Sequence, residues 1–354
     1  MSALVIASVV FVLSWRLTRR LSDPQSRLYL LDHPNERSLH QVPTPRTGGV
    51  AVLISAACGF SLATLAGQWD QETAALLWHS TGVWIIGATA LLAAVSFCDD
   101  RGGLPIGLRF GVQVVAALAL VVGADVVLRS VWVPFFGYLD LGWAAWPVTL
   151  MFLVWMTNLY NFMDGMDGFA GGMTLVGFGF LAYFAWRDAH ALVFVLSLMV
   201  ATAAAGFLLS NFPPARIFMG DVGSVPIGFL AGALTLLGQR EGLFDVWVPI
   251  MVFSPFILDA TATVLRRALC GERVWEAHRV HYYQRLVLSG WGHRRTVLAE
   301  YALMACCGIA AWLYHHGDST GRTIIILSWL AVFGALGAGV GLVEQRRVQQ
   351  EAEV

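Results

Sequence analysis

Apolar runs of about twenty residues, the length of helix that crosses a hydrocarbon core, recur along the whole of this chain. They cover residues 1–17, 48–67, 77–97, 109–128, 143–160, 168–186, 190–209, 225–238, 245–264, 297–314 and 322–343. Backbone in lipid must satisfy its own hydrogen bonds, so the runs predict an all-α integral membrane protein of about eleven transmembrane helices. The run at 225–238 is the weakest, being short and rich in glycine. Only 13% of the 354 residues are charged and 57% are hydrophobic, where a soluble domain carries about 25% charged residues. An ordinary soluble enzyme and a disordered chain are excluded. So is a disulfide scaffold, because the five cysteines show no CxxC or zinc-ligand spacing.

All 22 basic residues are arginines, and their placement sets the orientation. Taking alternate loops, six fall in 16–47, two in 98–109, one in 210–224, seven in 265–296, and two (Arg346 and Arg347) in the tail. Arg129, Arg187, Arg240 and Arg322 fall singly on the other side. This split predicts an odd number of spans, with the N-terminus outside and the C-terminus cytoplasmic. Arg16, Arg19 and Arg20 follow the first run instead of preceding it, which reads as a first helix and not as a leader. No loop exceeds about 32 residues, so residues 1–354 read as a single polytopic domain. The outside loops hold an aromatic cluster, Trp132, Phe135, Phe136, Tyr138 and Trp143, of the kind that forms an interfacial belt.

Residues with chemistry concentrate in the cytoplasmic loops. Asp99 and Asp100 end the third run, where paired acids at a membrane edge need a cation, a proton or water. After the fifth run comes NLYNFMDGMDG, in which Asn158, Asn161, Asp164 and Asp167 supply oxygens and amides and the glycines allow close backbone approach. After the seventh comes NFPPARIFMGDVGS, from Asn211 through Phe218 and Asp221 to Ser224, whose carboxylate beside flexible backbone suits a hard cation with phosphate oxygens. The largest loop carries His278, Arg279, His281 and Arg285, groups that donate to anionic oxygens. The same loop also reads as a polybasic lipid-binding patch or, through HxxH, as a zinc site without further ligands at recognisable spacing. The first loop, DHPNERSLHQVPTPRTGG, is shaped by proline and glycine and offers Arg46. Acids, histidines and arginines on one side of a membrane describe a site for a divalent metal and a polyanion, with phosphoryl transfer as the chemistry.

In order and in content, DHPNERSLHQVPTPRTGG, DDRGGLP, NLYNFMDGMDG, NFPPARIFMGDVGS and HRVHYYQRL resemble the loops of the polyprenyl-phosphate N-acetylhexosamine-1-phosphate transferases, the glycosyltransferase family 4 of MraY- and WecA-like enzymes. The likeness runs from about residue 30 to 295. It implies transfer of a sugar-1-phosphate from a UDP-N-acetylhexosamine to a polyprenyl phosphate, usually undecaprenyl phosphate, with release of UMP. It also implies an Mg²⁺ cofactor, with Mn²⁺ as a substitute, an active site on the cytoplasmic face of the bacterial inner membrane, a homodimer, and no nucleic-acid partner. Carried onto this sequence, Asp221, Asp99 and Asp100 are the catalytic acids and metal ligands, and Asp99 also orients or deprotonates the lipid phosphate, with Asp100 beside it. Phe218 stacks on uracil, and Asn211 serves the nucleoside pocket that Asp164, Asp167 and Asn161 help shape. His278, Arg279 and His281 lie near the diphosphate and sugar, with Arg46 on phosphate.

Two departures bear on the substrate. HRVHYYQRL replaces the three consecutive histidines of the peptidoglycan branch and looks more like the WbpL-type branch that starts O-antigen or other envelope polysaccharides, which leaves UDP-GlcNAc, UDP-QuiNAc and UDP-FucNAc open. With no lysine present, any lysine role passes to arginine, with Arg46, Arg101 and Arg109 as candidates. Asp259, between Pro249, Pro255 and the arginines of the largest loop, predicts a bent ninth span lining a groove for the prenyl chain. A transporter of an anionic solute is the alternative of a different class. It calls for ionisable groups near the midplane and for repeat symmetry, neither of which is evident.

Overall fold

The computed structural model describes residues 3–34, 38–65, 80–274 and 278–352; Asn35, Glu36 and Arg37 of the first loop and one end of each of the expected runs 1–17, 48–67 and 77–97 lie outside the described residues. Its helices are Ala3–Leu21 (α1), Gly48–Leu65 (α2), Ser80–Gly102 (α3), Ile106–Ala124 (α4), Ala145–Phe162 (α5), Phe169–Arg187 (α6), Ala191–Asn211 (α7) and Asp221–Arg240 (α8). Trp247–Val252 (α9), Ser254–Leu269 (α10), Tyr282–Leu286 (α11), Gly292–His316 (α12) and Ser319–Ala352 (α13) follow. Among the described residues, strand is confined to two short antiparallel pairs. Leu31–Asp32 (β1) pairs with Thr44–Pro45 (β2), and Ser130–Val133 (β3) forms a hairpin with Gly137–Asp140 (β4).

Every apolar run falls on helix. Among the described residues, eight helical segments, one of them running through α11 and α12, are long and apolar enough to cross a membrane, as expected of a multi-pass membrane protein. Three of the expected spans fall short of that measure for local reasons. Arg16, Arg19 and Arg20 end α1, two asparagines lie in α5, and the ninth run is broken between α9 and α10. The break falls at Phe253 because Pro255 has no N–H to give the Met251 carbonyl; the Ser254 hydroxyl donates to that carbonyl instead, at 2.6 Å.

The weakest run by sequence is the most buried helix. Of the most apolar stretch of α8, 94% is inside the protein, against 17% for α13. Its glycines explain this. A Cβ on Gly228 would stand 2.6 Å from the Met156 carbonyl oxygen, and one on Gly223 would stand 2.6 Å from the Cα of Gly49. Lipid supplies no hydrophobic force between helices, so close backbone approach through small residues drives their packing. The outer hairpin is also sorted. Phe135, Phe136, Tyr138 and Trp143 are exposed as a belt requires, but Trp132 is 3% exposed, packs edge-on against Tyr314 and accepts the indole N–H of Trp247 on its carbonyl at 2.7 Å.

The contact of α2 with α8 is backbone on backbone, so it cannot relax around an added methyl. Gly49→Ala places its Cβ 2.3 Å from Gly223 Cα and 2.4 Å from Gly223 N. It is expected to destabilise the detergent-solubilised protein by about 1–3 kcal/mol, the usual scale of overpacking. Gly107→Ala, with open space around it, is expected to leave the melting temperature unchanged. Equal melting of the two variants would count against the close-packed reading of α8.

Candidate functional site

Loops from all five motifs converge at one end of the bundle on one cavity of about 1060 Å³. Its polar part is lined by Asp99, Arg109, Asn161, Asp164, Asp221 and His281, and its apolar part by Phe110, Leu150, Met151, Val154, Trp155 and Phe162. An anionic head and a hydrocarbon tail thus find complementary walls in the same space.

Asp99 occupies the last turn of α3. The chain then curls through Gly103, at φ 67°, whose N–H donates to the Asp99 carbonyl, and Pro105 opens the way into α4. This turn carries Arg109 back over Asp99. Arg109 Nη1 lies 2.7 Å from Asp99 Oδ2 and 3.6 Å from Asp221 Oδ2. The other Asp99 oxygen accepts the Leu104 N–H at 2.6 Å.

Asp221 begins α8, where the positive end of the helix dipole favours a carboxylate. Gly220 before it has φ 73°, and a Cβ there would lie 2.1 Å from the Arg46 carbonyl oxygen, so both conformation and space require glycine. The Gly220 N–H donates to Asp164 Oδ2 at 3.1 Å. Asn161 Nδ2 donates to Asp221 Oδ1 at 2.8 Å and to Ser224 Oγ at 3.0 Å, which orients the carboxylate. Burial, and then the neighbouring Asp221 carboxylate, push the Asp164 carboxyl well above the usual carboxylate range.

The neighbour of Asp99 points elsewhere, because adjacent residues on a helix do not share a face. Asp100 is 6% exposed and lies off the cavity; its Oδ2 accepts the Val222 N–H at 3.0 Å, and Arg46 Nε stands 3.5 Å from its Oδ1. Arg46 also donates to the Asp100 carbonyl at 2.7 Å while lining the cavity itself. Asn211 is likewise turned into the scaffold. Its oxygen accepts the Gly168 N–H at 3.0 Å and its amide donates to the Ile217 carbonyl at 2.9 Å. Asp100 and Asn211 therefore fix the loops that present Asp221 and Phe218 instead of facing a ligand.

Phe218 lines the cavity, with its N–H donating to the Pro45 carbonyl at 2.7 Å and the His40 ring edge-on to it at 4.9 Å. Asp167 lines it too. Its Oδ2 accepts the Ala215 N–H, and its Oδ1 lies 3.1 Å from His293 Nδ1, outside hydrogen-bond alignment. His278 and His281 are 4.8 Å apart between ring centres, and both line the cavity; Arg279 is exposed outside it.

Asp259 does not line the cavity, nor does any other residue of the broken helix pair, so the expected groove-lining role is not what the break provides. Asp259 Oδ1 lies 3.2 Å from His281 Nδ1 and accepts the Tyr282 N–H, while Oδ2 accepts the Tyr283 N–H. A buried carboxylate is satisfied by the orphan donors at the start of α11, and it aims His281. Thr261, from the same helix, accepts the indole N–H of Trp155 at 3.1 Å and so braces one wall.

Among the described residues no three His, Cys, Asp or Glu side chains form a metal cage, which gives the HxxH zinc reading no support. Mg²⁺ needs less, since it keeps its waters and takes one or two carboxylates together with substrate phosphates. Asp99 Oδ2 and Asp221 Oδ2, facing a shared cation on the cavity wall, fit that requirement. Sequence reasoning had Arg109 only as one of three arginines, and missed His40, Tyr283, Gln284 and His293 as cavity residues. The turn Gly-Gly-Leu-Pro between Asp99 and Arg109 was the available signal for the first; His293 comes from a distant helix and has none.

Burial, then the adjacent His281 and Arg267, lower the His278 imidazole from 6.5 to about 4. A neutral ring at pH 7 binds by hydrogen bonds and adds no charge. Because the folded pKa lies below the unfolded one, its contribution to stability is present above about 6.5 and lost as pH falls toward about 4. His278→Gln is expected to shrink the drop in melting temperature between pH 7 and pH 4.5, and an undiminished drop would refute this.

The description glycosyl transferase family 4 matches residues 83–239. A probable undecaprenyl-phosphate N-acetylglucosaminyl 1-phosphate transferase of Bacillus subtilis is 31% identical over 320 residues, covering 89% of this chain and 86% of the relative. A decaprenyl-phosphate N-acetylglucosaminephosphotransferase of Mycolicibacterium smegmatis is 33% identical over 298 residues, covering 76% and 71%. A phospho-N-acetylmuramoyl-pentapeptide-transferase of Lacticaseibacillus paracasei is 27% identical over 267 residues, covering 70% and 77%.

Proposed function

Because the chain belongs to glycosyl transferase family 4, we propose that it transfers an N-acetylhexosamine-1-phosphate from a UDP-sugar to a polyprenyl phosphate, releasing UMP. The observation that carries the reading is one cavity lined both by carboxylates and arginines and by a set of apolar side chains. Such a space accepts a lipid phosphate by both of its parts. Undecaprenyl phosphate is the acceptor in this reading, and the relatives named for polyprenyl phosphates support it.

An oxygen of the lipid phosphate attacks the sugar-bearing phosphorus of the nucleotide. A new phosphorus–oxygen bond forms to the lipid, the diphosphate bridge breaks, and UMP leaves with the bridging oxygen and its electron pair. Two anions meet, so catalysis is positioning and charge neutralisation. Asp99 orients the attacking phosphate and accepts any proton it carries. Asp221 and Asp99 would hold Mg²⁺, or Mn²⁺ in its place, and the ion would supply positive charge against the phosphates. Arg46 and Arg109 add the rest, and Phe218 offers its face to the base. His278 and His281 take the sugar end, with His281 oriented by Asp259.

His281, Tyr283 and Gln284 of HRVHYYQRL line the cavity, and the lack of three consecutive histidines in that motif supports an N-acetylhexosamine donor of the WbpL-type branch and an initiating role in O-antigen or another envelope polysaccharide. The arginine split supports a cytoplasmic active site in the bacterial inner membrane, with the N-terminus outside.

The test is an assay of the purified protein with undecaprenyl phosphate, Mg²⁺ and, in turn, UDP-GlcNAc, UDP-QuiNAc and UDP-FucNAc, following UMP and lipid-linked product. Metal-dependent UMP release with one donor is expected, and Asp221→Asn should lower kcat by about 100-fold or more. Turnover that survives EDTA and Asp221→Asn would overturn the metal-assisted reading, and absence of lipid-linked product with every donor would overturn the transferase reading.

A further inference from the structure

Asp99 and Asp221, two of the carboxylates that line the cavity, each have one oxygen held by an uncharged donor. Asp99 Oδ1 accepts the Leu104 N–H, and Asp221 Oδ1 accepts the Asn161 amide. Their remaining oxygens turn toward one nitrogen, Arg109 Nη1, at 2.7 and 3.6 Å. That nitrogen stands where a hard cation shared by the two carboxylates would stand, since a bound Mg²⁺ sits about 2.0–2.1 Å from its oxygens. Two cations cannot occupy that space. Without any cation, the two anions would repel across a partly desolvated site.

The Arg109 side chain is able to leave. It is 38% exposed, it lines the cavity, and among the described residues its hydrogen bond is to Asp99 alone. Arg46 differs in this respect, being fixed at once to the Asp100 carbonyl and close to the Asp100 carboxylate.

We propose that Arg109 is the resident cation of the metal-free site and exchanges with the divalent ion. When the ion binds Asp99 and Asp221, the guanidinium swings into the cavity and pairs with a substrate phosphate. The free enzyme thereby keeps its carboxylates in register before the ion arrives. The charge displaced by the ion is delivered to where the diphosphate lies. This inference rests on the metal-assisted reading above, and it assigns one side chain opposite effects on the two ligands.

The exchange is read directly on the wild-type protein with Mn²⁺ alone and no substrate. Phenylglyoxal modifies accessible guanidinium groups, and the modified peptides are quantified by mass spectrometry. Modification of Arg109 is expected to rise with Mn²⁺ and to saturate at the concentration at which Mn²⁺ binding, followed by electron paramagnetic resonance, saturates. Exposed Arg216 serves as the internal reference and should not respond. In a second measurement, Arg109→Gln is expected to bind Mn²⁺ about tenfold more tightly, the scale of one charge-assisted hydrogen bond removed from competition. The same variant should raise KM for the UDP-sugar at saturating Mn²⁺ by a similar factor.

Mn²⁺ binding with an unchanged rate of Arg109 modification overturns the exchange and leaves the metal site standing. Mn²⁺ affinity that is equal or weaker in Arg109→Gln overturns it as well. Failure of the wild type and of Arg109→Gln to bind Mn²⁺ overturns both the exchange and the metal-assisted reading on which it rests.

Discussion

The start of α8 is the point to which the rest of the site is tied. Four backbone hydrogen bonds fix the preceding segment: Phe218 N–H to the Pro45 carbonyl, Gly48 N–H to the Phe218 carbonyl, Gly49 N–H to the Met219 carbonyl, and Gly220 N–H to Asp164. Val222 N–H adds a fifth, to Asp100. Residues from the first, second and third motifs therefore meet on five consecutive residues of the fourth, Phe218 to Val222. An unpaired polar group in a membrane protein is expensive, so each of these bonds resists separation of the loops. The geometry of Asp221 is consequently a property of all four loops and not of its own.

That dependence explains which residues sequence could place and which it could not. The spans, the common end of the motifs and the facing of Asp99, Asp164, Asp221 and Phe218 on one cavity were legible, because period, length and residue type are local signals. Asp100, Asn211 and Asp259 were not. Each is a polar group of the kind that binds ligands, and each is consumed by the backbone of a segment far away in sequence, which no local pattern announces. The depth of α8 was hidden for a related reason. Hydropathy scores the side chain, and glycine scores low, whereas helices in lipid associate through the close approach that glycine allows.

The buried carboxylate of Asp259 shows how a fold can hold a charge inside helices without opening a channel. Pro255 stops one helix and lets α10 start afresh, and α10 carries Asp259 to the exposed N–H groups that open α11. His281 sits at that N-cap with Gln284 returning its side chain to the His281 N–H. At the other end of the short helix, Arg285 forms a two-point ion pair with Glu344 of α13, one bond measuring 2.7 Å. A five-residue helix is too short to be stable by itself. It is held at both ends by charges from different helices, so the wall it forms with His281, Tyr283 and Gln284 is rigid.

The absence of lysine follows the same logic of multiple simultaneous bonds. Arg46 holds a carbonyl and approaches a carboxylate of the same residue, and Arg109 addresses two carboxylates from one nitrogen. A planar fork with five donors can divide itself in this way, and it stays protonated at a partly desolvated site where an ammonium loses its charge more readily. A guanidinium that is not neutralised keeps its positive charge on the cavity wall across the working pH range. His278 is then free to serve as a neutral hydrogen-bonding group, the state that burial gives it.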